Sequence, residues 1–265
     1  AKGNGGMSQH PRIPLEALPT YDILGTPVAR FDWDEALSTM RGLVLDRIFT
    51  RIDFLNAHNA NIALSDHDYA AALKRAVVLP DGVGVDIAAR ILYGATFPAN
   101  LNGTDLIPAF LASIEEPVTV ALIGAKHPVA ELAAATFAKV APQHRYVVIR
   151  DGYFTAAEEP SILAEIAALR PDILLVAMGV PRQELWIDRK ITPGHCTLPI
   201  AVGALFDLIT GTVPRAPMWI RRLRLEWLYR LVQEPRRLWR RYVVGNPLFL
   251  ARVVRQKFGG RKAHK

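Results

Sequence analysis

The sequence predicts an α/β fold, a doubly wound parallel sheet followed by a basic, amphipathic helical appendage. From about residue 45 to residue 212, short strands that are apolar throughout alternate with amphipathic segments. This alternation is typical of parallel strands covered by helices on both faces. Residues 213–265 then carry 15 Lys and Arg against two acidic residues. No run of about 18 apolar residues occurs, so we expect no membrane-spanning helix.

The predicted elements follow one another along the chain. Strands are expected at 75–82, 117–125, 145–154, 171–179 and the first part of 197–211. Helices are expected at 85–94, after Pro128, at 161–170 and in the second part of 197–211. In the first of these helices, Ile87, Ile91 and Leu92 share one side. A Rossmann-like core over residues 21–212 is the resulting prediction.

The two ends of the chain differ from this core. Residues 1–6 precede Met7 and are interpreted as a remnant of expression; with the proline-containing residues 7–20 they form a predicted flexible arm. The start lacks a charged segment followed by an apolar one, which disfavours a secretory signal. We therefore expect a cytoplasmic protein. The single cysteine, Cys196, excludes an internal disulfide and a multi-cysteine zinc site.

The basic charge belongs to the appendage alone, because residues 1–212 carry 17 basic and 23 acidic groups. A nucleic-acid-binding protein is expected to spread basic residues over its core as well. Nucleic acid is therefore not an expected partner. A Rossmann-like methyltransferase or RNA-binding protein, and a non-enzymatic domain that binds partners through the appendage, stay as alternatives.

Ligands of an open parallel sheet bind beyond the carboxyl ends of its strands. Gly124, Gly179 and Gly203 follow three predicted strands and let backbone amides approach a phosphate, or simply make tight turns. No Gly-x-Gly-x-x-Gly opens a helix and no Walker loop occurs, which disfavours a dehydrogenase and a P-loop NTPase. A nucleotide is the expected ligand.

Asp81 lies in a Pro-Asp-Gly corner directly after a strand. A carboxylate in this place can accept a proton from a substrate hydroxyl. It can equally cap the following helix. The corner alone does not separate the two roles.

Several other polar residues are candidates for substrate contacts. Asn56 and His58 lie in an apolar setting with two more asparagines, forming either a self-satisfied network or a sugar-binding loop. In residues 102–106, Asn102, Thr104 and Asp105 either begin a helix or touch ligand.

Two further motifs concern the nucleotide and a metal. Gln183 and Glu184 follow a strand, where they suit a nucleobase or a ribose. The Asp-His-Asp run at 66–68 has a metal-binding pattern, but it opens a helical segment and is interpreted as a capping cluster. No histidine spacing indicates zinc, so no metal is expected.

The appendage has an apolar stripe at helical spacing. It comprises Trp219, Ile220, Leu223, Trp227, Leu228 and Leu231. Most arginines lie off this stripe, and Pro235 is expected to interrupt the helix.

Four segments together resemble the WecG/TagA/CpsF glycosyltransferases. They are LPDGVGVDIAARILYG, NGTDL, MGVPRQELWI and the long run from AVGALFDLITG to PRRLWRRY. The resemblance covers about residues 40–245. It implies a Rossmann-like core with a helical appendage. It also implies transfer of a sugar from a nucleotide diphosphate, usually UDP, to a polyprenyl-diphosphate-linked sugar, with inversion and without a metal.

The resemblance also implies roles for individual residues. The family's base falls on Asp81 and its nucleotide-side glutamine on Gln183, with Glu184 beside it. Its diphosphate-binding arginines fall on Arg230, Arg237 and Arg240.

This chain departs from the family pattern in two places. It has Asn56-Ala57-His58 where many members have Thr-x-Asn, and Asn100 where many have arginine. The first departure is more similar to exopolysaccharide members, such as the xanthan-type glucosyltransferase. Glucose or a related hexose is therefore the expected donor sugar.

A lipid-linked acceptor requires a membrane surface, and the basic appendage suits an anionic one. Its stripe faces either the core or the bilayer. Five arginines are expected to face lipid: Arg221, Arg222, Arg224, Arg236 and Arg241. We expect a peripheral protein on the inner face of the plasma membrane, whose appendage closes over the cleft on docking.

Overall fold

A computed structural model describes residues 17–259, so the predicted arm lies almost wholly outside the described residues. Eight strands form one sheet in the order β1-β2-β4-β3-β8-β7-β5-β6. The strands are β1 (Thr20–Ile23), β2 (Thr26–Ala29), β3 (Ile52–Leu55), β4 (Val77–Pro80), β5 (Thr119–Gly124), β6 (Arg145–Arg150), β7 (Ile173–Ala177) and β8 (Leu198–Ala201).

All neighbouring strands are parallel except β1 and β2, which form an antiparallel hairpin at one edge. In the central register, Ile52 of β3 lies opposite Ile200 of β8. Strands β3, β4, β7 and β8 are buried along their whole length. The predicted parallel α/β sheet is therefore confirmed, whereas the hairpin was not predicted.

Helices cover both faces of the sheet, because successive side chains of a strand point to opposite faces. One face carries α1, α5, α6 and α9. The other carries α2, α3, α4, α7, α8 and the later helix α13 (Gly245–Gly259). The core helices are α1 (Trp33–Leu45), α2 (Ala57–Ala63), α3 (His67–Lys74), α4 (Val83–Tyr93), α5 (Gly103–Ser113), α6 (Val129–Val140), α7 (Glu159–Leu169), α8 (Arg182–Lys190) and α9 (Leu205–Ile209).

The predicted apolar side of helix α4 is only partly buried. Ile87 is 40% exposed, whereas Ile91 and Leu92 are partly buried and pack against the core. The most deeply buried residues of the helix are instead Val85, Ala88 and Ala89, which belong to one cluster with Phe249 of the appendage. Periodicity within α4 does not show this packing against a later element.

The appendage is a series of short helices rather than one amphipathic helix interrupted at Pro235. Its helices are α10 (Met218–Arg222), α11 (Glu226–Gln233), α12 (Pro235–Trp239) and α13 (Gly245–Gly259), with a π-helical turn at Arg240–Val244. Between α10 and α11, Arg224 has φ +59°, a left-handed conformation that ends a helix. Pro235 begins α12, where its missing N–H costs no hydrogen bond.

Helix α13 holds the appendage to the core. Phe249 and Val253 are fully buried against α2 and α4. Asn61 of α2 donates to the Gly245 carbonyl at 2.8 Å and accepts from Arg252 at 2.7 Å. Among the described residues, no helix is long and apolar enough to cross a bilayer.

Candidate active site

The predicted site residues converge on one edge of the sheet. Asn56 and Asp81 directly follow β3 and β4, while Gly124 ends β5 and Gly179 and Gly203 follow β7 and β8 within two residues. These five strands are consecutive in the sheet. In parallel strands their carboxyl ends share one edge, so the five turns form a continuous cleft rim.

Asp81 does not cap helix α4. The cap position is Gly82, and no side chain bonds there. The corner is instead held from both sides: Asp81 N–H donates to the Leu55 carbonyl at 2.9 Å, and Gly82 N–H donates to Asn100 Oδ1 at 3.0 Å. The carboxylate is therefore left free for another role, and the capping alternative is wrong.

The carboxyl of Asp81 accepts from Asn56 Nδ2 at 3.4 Å. Burial raises the pKa of Asp81, while this hydrogen bond and the positive charges of Arg241 and Arg230 act in the opposite direction. A carboxylate with a raised pKa binds a proton more readily than an exposed one. The environment of Asp81 is suited to accepting a proton from a hydroxyl.

Asn56 has a second task, because its Oδ1 caps α2 by accepting from the amides of His58 and Asn59 at 3.1 Å. Asn59 and Asn61 bond to backbone groups. The sequence left open a self-satisfied network or a sugar-binding loop. Asn59 and Asn61 belong to a structural network, while Asn56 also reaches the cleft.

His58, two residues after Asn56, is partly buried. Burial and the positive charge of Arg241 lower its pKa to about 4. The imidazole is therefore neutral at physiological pH, with one nitrogen able to donate and one able to accept. This suits a sugar hydroxyl, and its sugar-binding role stays a prediction.

Asn102 caps α5 by accepting from Asp105 N–H at 3.1 Å, so the helix begins at Gly103. Asp105 forms ion pairs with Arg215 of the appendage at 2.6 Å and with Arg221 at 3.5 Å. Its negative charge also acts on Asp81. Thr104, which lies between Asn102 and Asp105 in the sequence, is partly buried. The segment thus joins the cleft to the appendage, and its contact with substrate stays a prediction.

Gln183 is buried and bridges the ends of two strands. Its Oε1 accepts from Met178, Gly179 and Gly203 amides at 3.1–3.3 Å. Its Nε2 donates to Glu184 Oε1 at 2.9 Å. In this arrangement the hydrogen bonds of Gln183 hold the two glycine turns, and its contact with the nucleotide stays a prediction.

Glu184 is also buried, and its Oε2 has no hydrogen-bond partner among the described residues. Burial and the nearby Asp53 raise its pKa to about 8. Burial likewise raises the pKa of Asp53, in β3, to about 7. Asp53 and Glu184 are thus two buried acids close enough for Asp53 to affect the pKa of Glu184. An acid inside the apolar strand RIDFL was the sequence signal that could have identified Asp53.

Gly124 is required by close packing, because a Cβ there would lie 2.2 Å from the Ala177 carbonyl oxygen of β7. Its φ of +122° also favours glycine. Gly179 and Gly203 have φ of +79° and +57°. Tight turns explain all three glycines, and a role with phosphate stays a prediction.

The appendage arginines divide into two sets. Arg230 and Arg241 are partly buried, and their charges act on Asp81. Arg237 is exposed and pairs with Glu234 at 2.9 Å, while Arg240 is exposed over the Trp239 ring. The diphosphate role implied for Arg237 and Arg240 stays a prediction.

Three arginines expected to face lipid contact the core. Arg224 pairs with Asp86 at 2.6 Å but stays 55% exposed, Arg221 approaches Asp105, and Arg241 lies near Asp81. The expectation was wrong for Arg221 and Arg241, which are partly buried on the core side. Arg222 and Arg236 are exposed. The apolar stripe also divides, with Trp219, Leu223 and Leu228 exposed and the others partly buried.

The remaining motifs are structural. Asp66 caps α3 by accepting from Tyr69 N–H at 3.0 Å, as predicted, and Asp68 pairs with Arg189. Burial raises the pKa of the Cys196 thiol, which keeps it protonated. Arg215 of the appendage had no predicted role, although it lies in a motif of the resemblance.

Comparison with known proteins identifies the family of this chain. The model of the Glycosyl transferase WecG/TagA/CpsF family matches residues 21–263. A protein of Bacillus subtilis (strain 168), named N-acetylglucosaminyldiphosphoundecaprenol N-acetyl-beta-D-mannosaminyltransferase, is 31% identical over 210 residues, covering 78% of this chain and 79% of the relative. A protein of the same name from Bacillus spizizenii (strain ATCC 23059 / NRRL B-14472 / W23) is 30% identical over 208 residues, covering 76% and 77%.

The chain therefore belongs to the WecG/TagA/CpsF family, and it is a glycosyltransferase. The predicted reaction class is confirmed.

Proposed function

We propose that this glycosyltransferase moves a hexosyl group from a UDP-sugar to the sugar of a polyprenyl-diphosphate-linked acceptor, with inversion at the anomeric carbon. The observation that carries the proposal is the carboxylate of Asp81. It lies at the strand-end cleft, has a raised pKa and caps no helix. The names of the two Bacillus relatives support an acceptor of this class.

In the proposed step, Asp81 accepts the proton of the acceptor hydroxyl as its oxygen attacks the anomeric carbon. A new C–O bond forms on one face of the sugar while the bond to the diphosphate breaks on the other. UDP leaves with the bonding electrons. Attack and departure on opposite faces produce inversion.

Negative charge grows on the leaving diphosphate, and cationic side chains offset it. Arginine suits this role because its planar donors match phosphate oxygens in charge-assisted hydrogen bonds. Arg230 is partly buried at the cleft, and the family resemblance adds Arg237 and Arg240. Side chains of this kind substitute for a metal ion, and we propose that transfer needs none.

The donor sugar is open between two possibilities. Both relatives are named for transfer of N-acetylmannosamine to N-acetylglucosaminyldiphosphoundecaprenol. This chain has Asn56-Ala57-His58 and Asn100 at positions where the family pattern differs. Asn100 holds the corner of Asp81 through Gly82 N–H. We propose that these departures change the bound sugar, with glucose or a related hexose as the alternative donor.

We also propose that the appendage docks on an anionic bilayer at the inner face of the plasma membrane. Apolar side chains are unusually exposed there, with Trp219 64%, Leu223 61% and Val232 74% exposed. Exposed apolar patches mark interaction sites, and these three side chains belong to one segment of the chain. Arg222 and Arg236, which are also exposed, belong to the same part of the appendage, and each such cation adds about 1 kcal/mol at an anionic surface.

One experiment tests the reaction directly. The protein is incubated with UDP-N-acetylmannosamine, UDP-N-acetylglucosamine or UDP-glucose, each with N-acetylglucosaminyl- or glucosyl-diphosphoprenol, with and without EDTA. We expect one donor and acceptor pair to give product of inverted configuration by NMR, at a rate that EDTA does not change. Retained configuration would contradict the role of Asp81, and loss of turnover in EDTA would contradict metal independence.

A further inference from the structure

We propose that Arg241, turned into the cleft by the π-helical segment Arg240–Val244, is a diphosphate-binding residue of the active site. The inference rests on the proposed function, and it assigns a residue that neither the apolar stripe nor the family resemblance indicates.

The local backbone explains why Arg241 faces inward. A straight helix through Arg230, Arg237 and Arg240 would place them near one face, since they are seven and three residues apart. The helix instead breaks at Glu234 and then widens into a π-helical turn. Such turns shift the helical register and are frequent at functional sites. The register shift exposes Arg240 and partly buries Arg241.

Neighbouring contacts hold the turn in this place. The Tyr242 ring lies 5.9 Å from that of Trp227 in α11, the helix that carries Arg230. At the end of the turn, Asn61 of α2 donates to the Gly245 carbonyl at 2.8 Å. Arg230 and Arg241 are therefore brought to the cleft by two segments, α11 and the π-helical turn, that pack on each other and on α2.

The Arg241 side chain has unused binding capacity. Its Nε is buried and has no hydrogen-bond partner among the described residues. A buried donor without a partner is costly, and a bound anion would satisfy it. Arg241 also has no ion pair within the part of the chain that the structure describes, in contrast to Arg237 with Glu234.

The charges around Arg241 indicate that its partner is a bound diphosphate and not a carboxylate of the protein. His58 is neutral beside it, and the positive charge of Arg241 contributes to lowering the pKa of that imidazole. Asp81 is the nearby acid, and it must stay available as the base. The diphosphate belongs to the UDP-sugar or to the lipid acceptor, which offer the same chemistry.

Binding measurements with the full chain test the proposal. Arg241→Gln, Arg241→Lys and the control Arg255→Gln, which removes an exposed charge of α13, are titrated with UDP by calorimetry. The KM for the lipid-linked acceptor is measured in parallel. We expect Arg241→Gln to raise the Kd for UDP or the KM for the acceptor about 10- to 100-fold, with partial recovery in Arg241→Lys. The affected constant identifies which diphosphate is bound.

The pKa of His58, followed by NMR in the same variants, separates this proposal from the proposed function. It should rise in Arg241→Gln whether or not UDP-sugars are substrates, because a neighbouring positive charge is removed. If the His58 pKa rises in Arg241→Gln but its Kd for UDP and its KM for the acceptor equal those of Arg255→Gln, the binding role of Arg241 is overturned. An unchanged His58 pKa would overturn the placement of Arg241 at the cleft.

Discussion

Asn56 donates its side-chain amide to Asp81 across 3.4 Å, and the same side chain caps helix α2. One residue thus connects the end of β3, the start of a helix and the proposed base. The hydrogen bond stabilises the ionised carboxylate against the burial that raises its pKa.

Asn56→Ser is expected to shift the pH dependence of transfer. Serine retains a capping oxygen but loses the amide donor, so the pKa of Asp81 should rise further. Because the base acts when ionised, activity is lost as pH falls through this pKa. The acidic limb of kcat/KM should therefore move to higher pH. The control Gln143→Leu, which removes a carboxamide outside the site, should leave the acidic limb in place. Equal pH profiles for the parent protein, Asn56→Ser and Gln143→Leu would count against the role of Asn56.

The buried acids Asp53 and Glu184 should make stability fall with rising pH. Their pKa values in the folded protein, about 7 and about 8, lie above the ordinary values of 3.8 and 4.5. The folded state therefore holds more protons between pH about 4 and about 8, and stability decreases across that window. Ionisation at pH 8.5 should cost on the order of a few kcal/mol.

Glu184→Gln removes one titration without changing the shape of the side chain. Its melting temperature should exceed that of the parent protein at pH 8.5 by several degrees and match it near pH 5. Glu165→Gln, at an exposed position of α7, provides the control. A constant difference at every pH would show that the Glu184 carboxyl does not titrate in this window.

Helix α13 should contribute strongly to the stability of the whole chain. Phe249→Ala empties a fully buried site between α2 and α4, and such truncations typically cost about 3–5 kcal/mol. Phe258→Ala, on the same helix but 56% exposed, should cost less than about 1 kcal/mol. Urea unfolding measures both. Similar midpoints for the two variants would mean that the appendage is dispensable for folding.

Much of the core could be predicted from the sequence, because the apolar runs of β4, β5, β7 and β8 are local signals. The hairpin β1–β2 escaped prediction because its strands, TYDI and TPVA, contain polar residues and a proline and form no continuous apolar run. The buried side of α4 depends on Phe249, more than 150 residues later, so no local pattern could show it.

The position of the candidate site in the fold was also predictable. Asp81 and the glycine turns follow from the rule that ligands bind at strand ends. The roles of individual arginines did not follow, because they depend on the left-handed Arg224 and on the π-helical turn. Helical spacing alone therefore placed Arg221 and Arg241 on the wrong side.

Docking on a membrane should depend on anionic lipid and on exposed apolar residues of the appendage. In sedimentation with vesicles, binding should weaken at least tenfold when anionic lipid is removed or when salt is raised. Trp219→Ser with Leu223→Ser should also weaken it, because each side chain contributes about 1 kcal/mol or more when buried. Leu132→Ser with Tyr153→Ser, exposed outside the appendage, should bind as the parent does. Equal binding by both double variants would contradict docking through this surface.

The Asp81→Asn variant tests whether Asp81 is the base of a UDP-sugar-dependent transfer. Transfer to the lipid-linked acceptor and the Kd for UDP are measured for this variant and for Asp34→Asn, an exposed position of α1. Loss of a general base should lower kcat about 10²- to 10⁴-fold while the Kd for UDP stays within about threefold of the parent value. An Asp81→Asn enzyme that keeps more than about a tenth of the parent rate would place the base elsewhere and contradict the proposed mechanism.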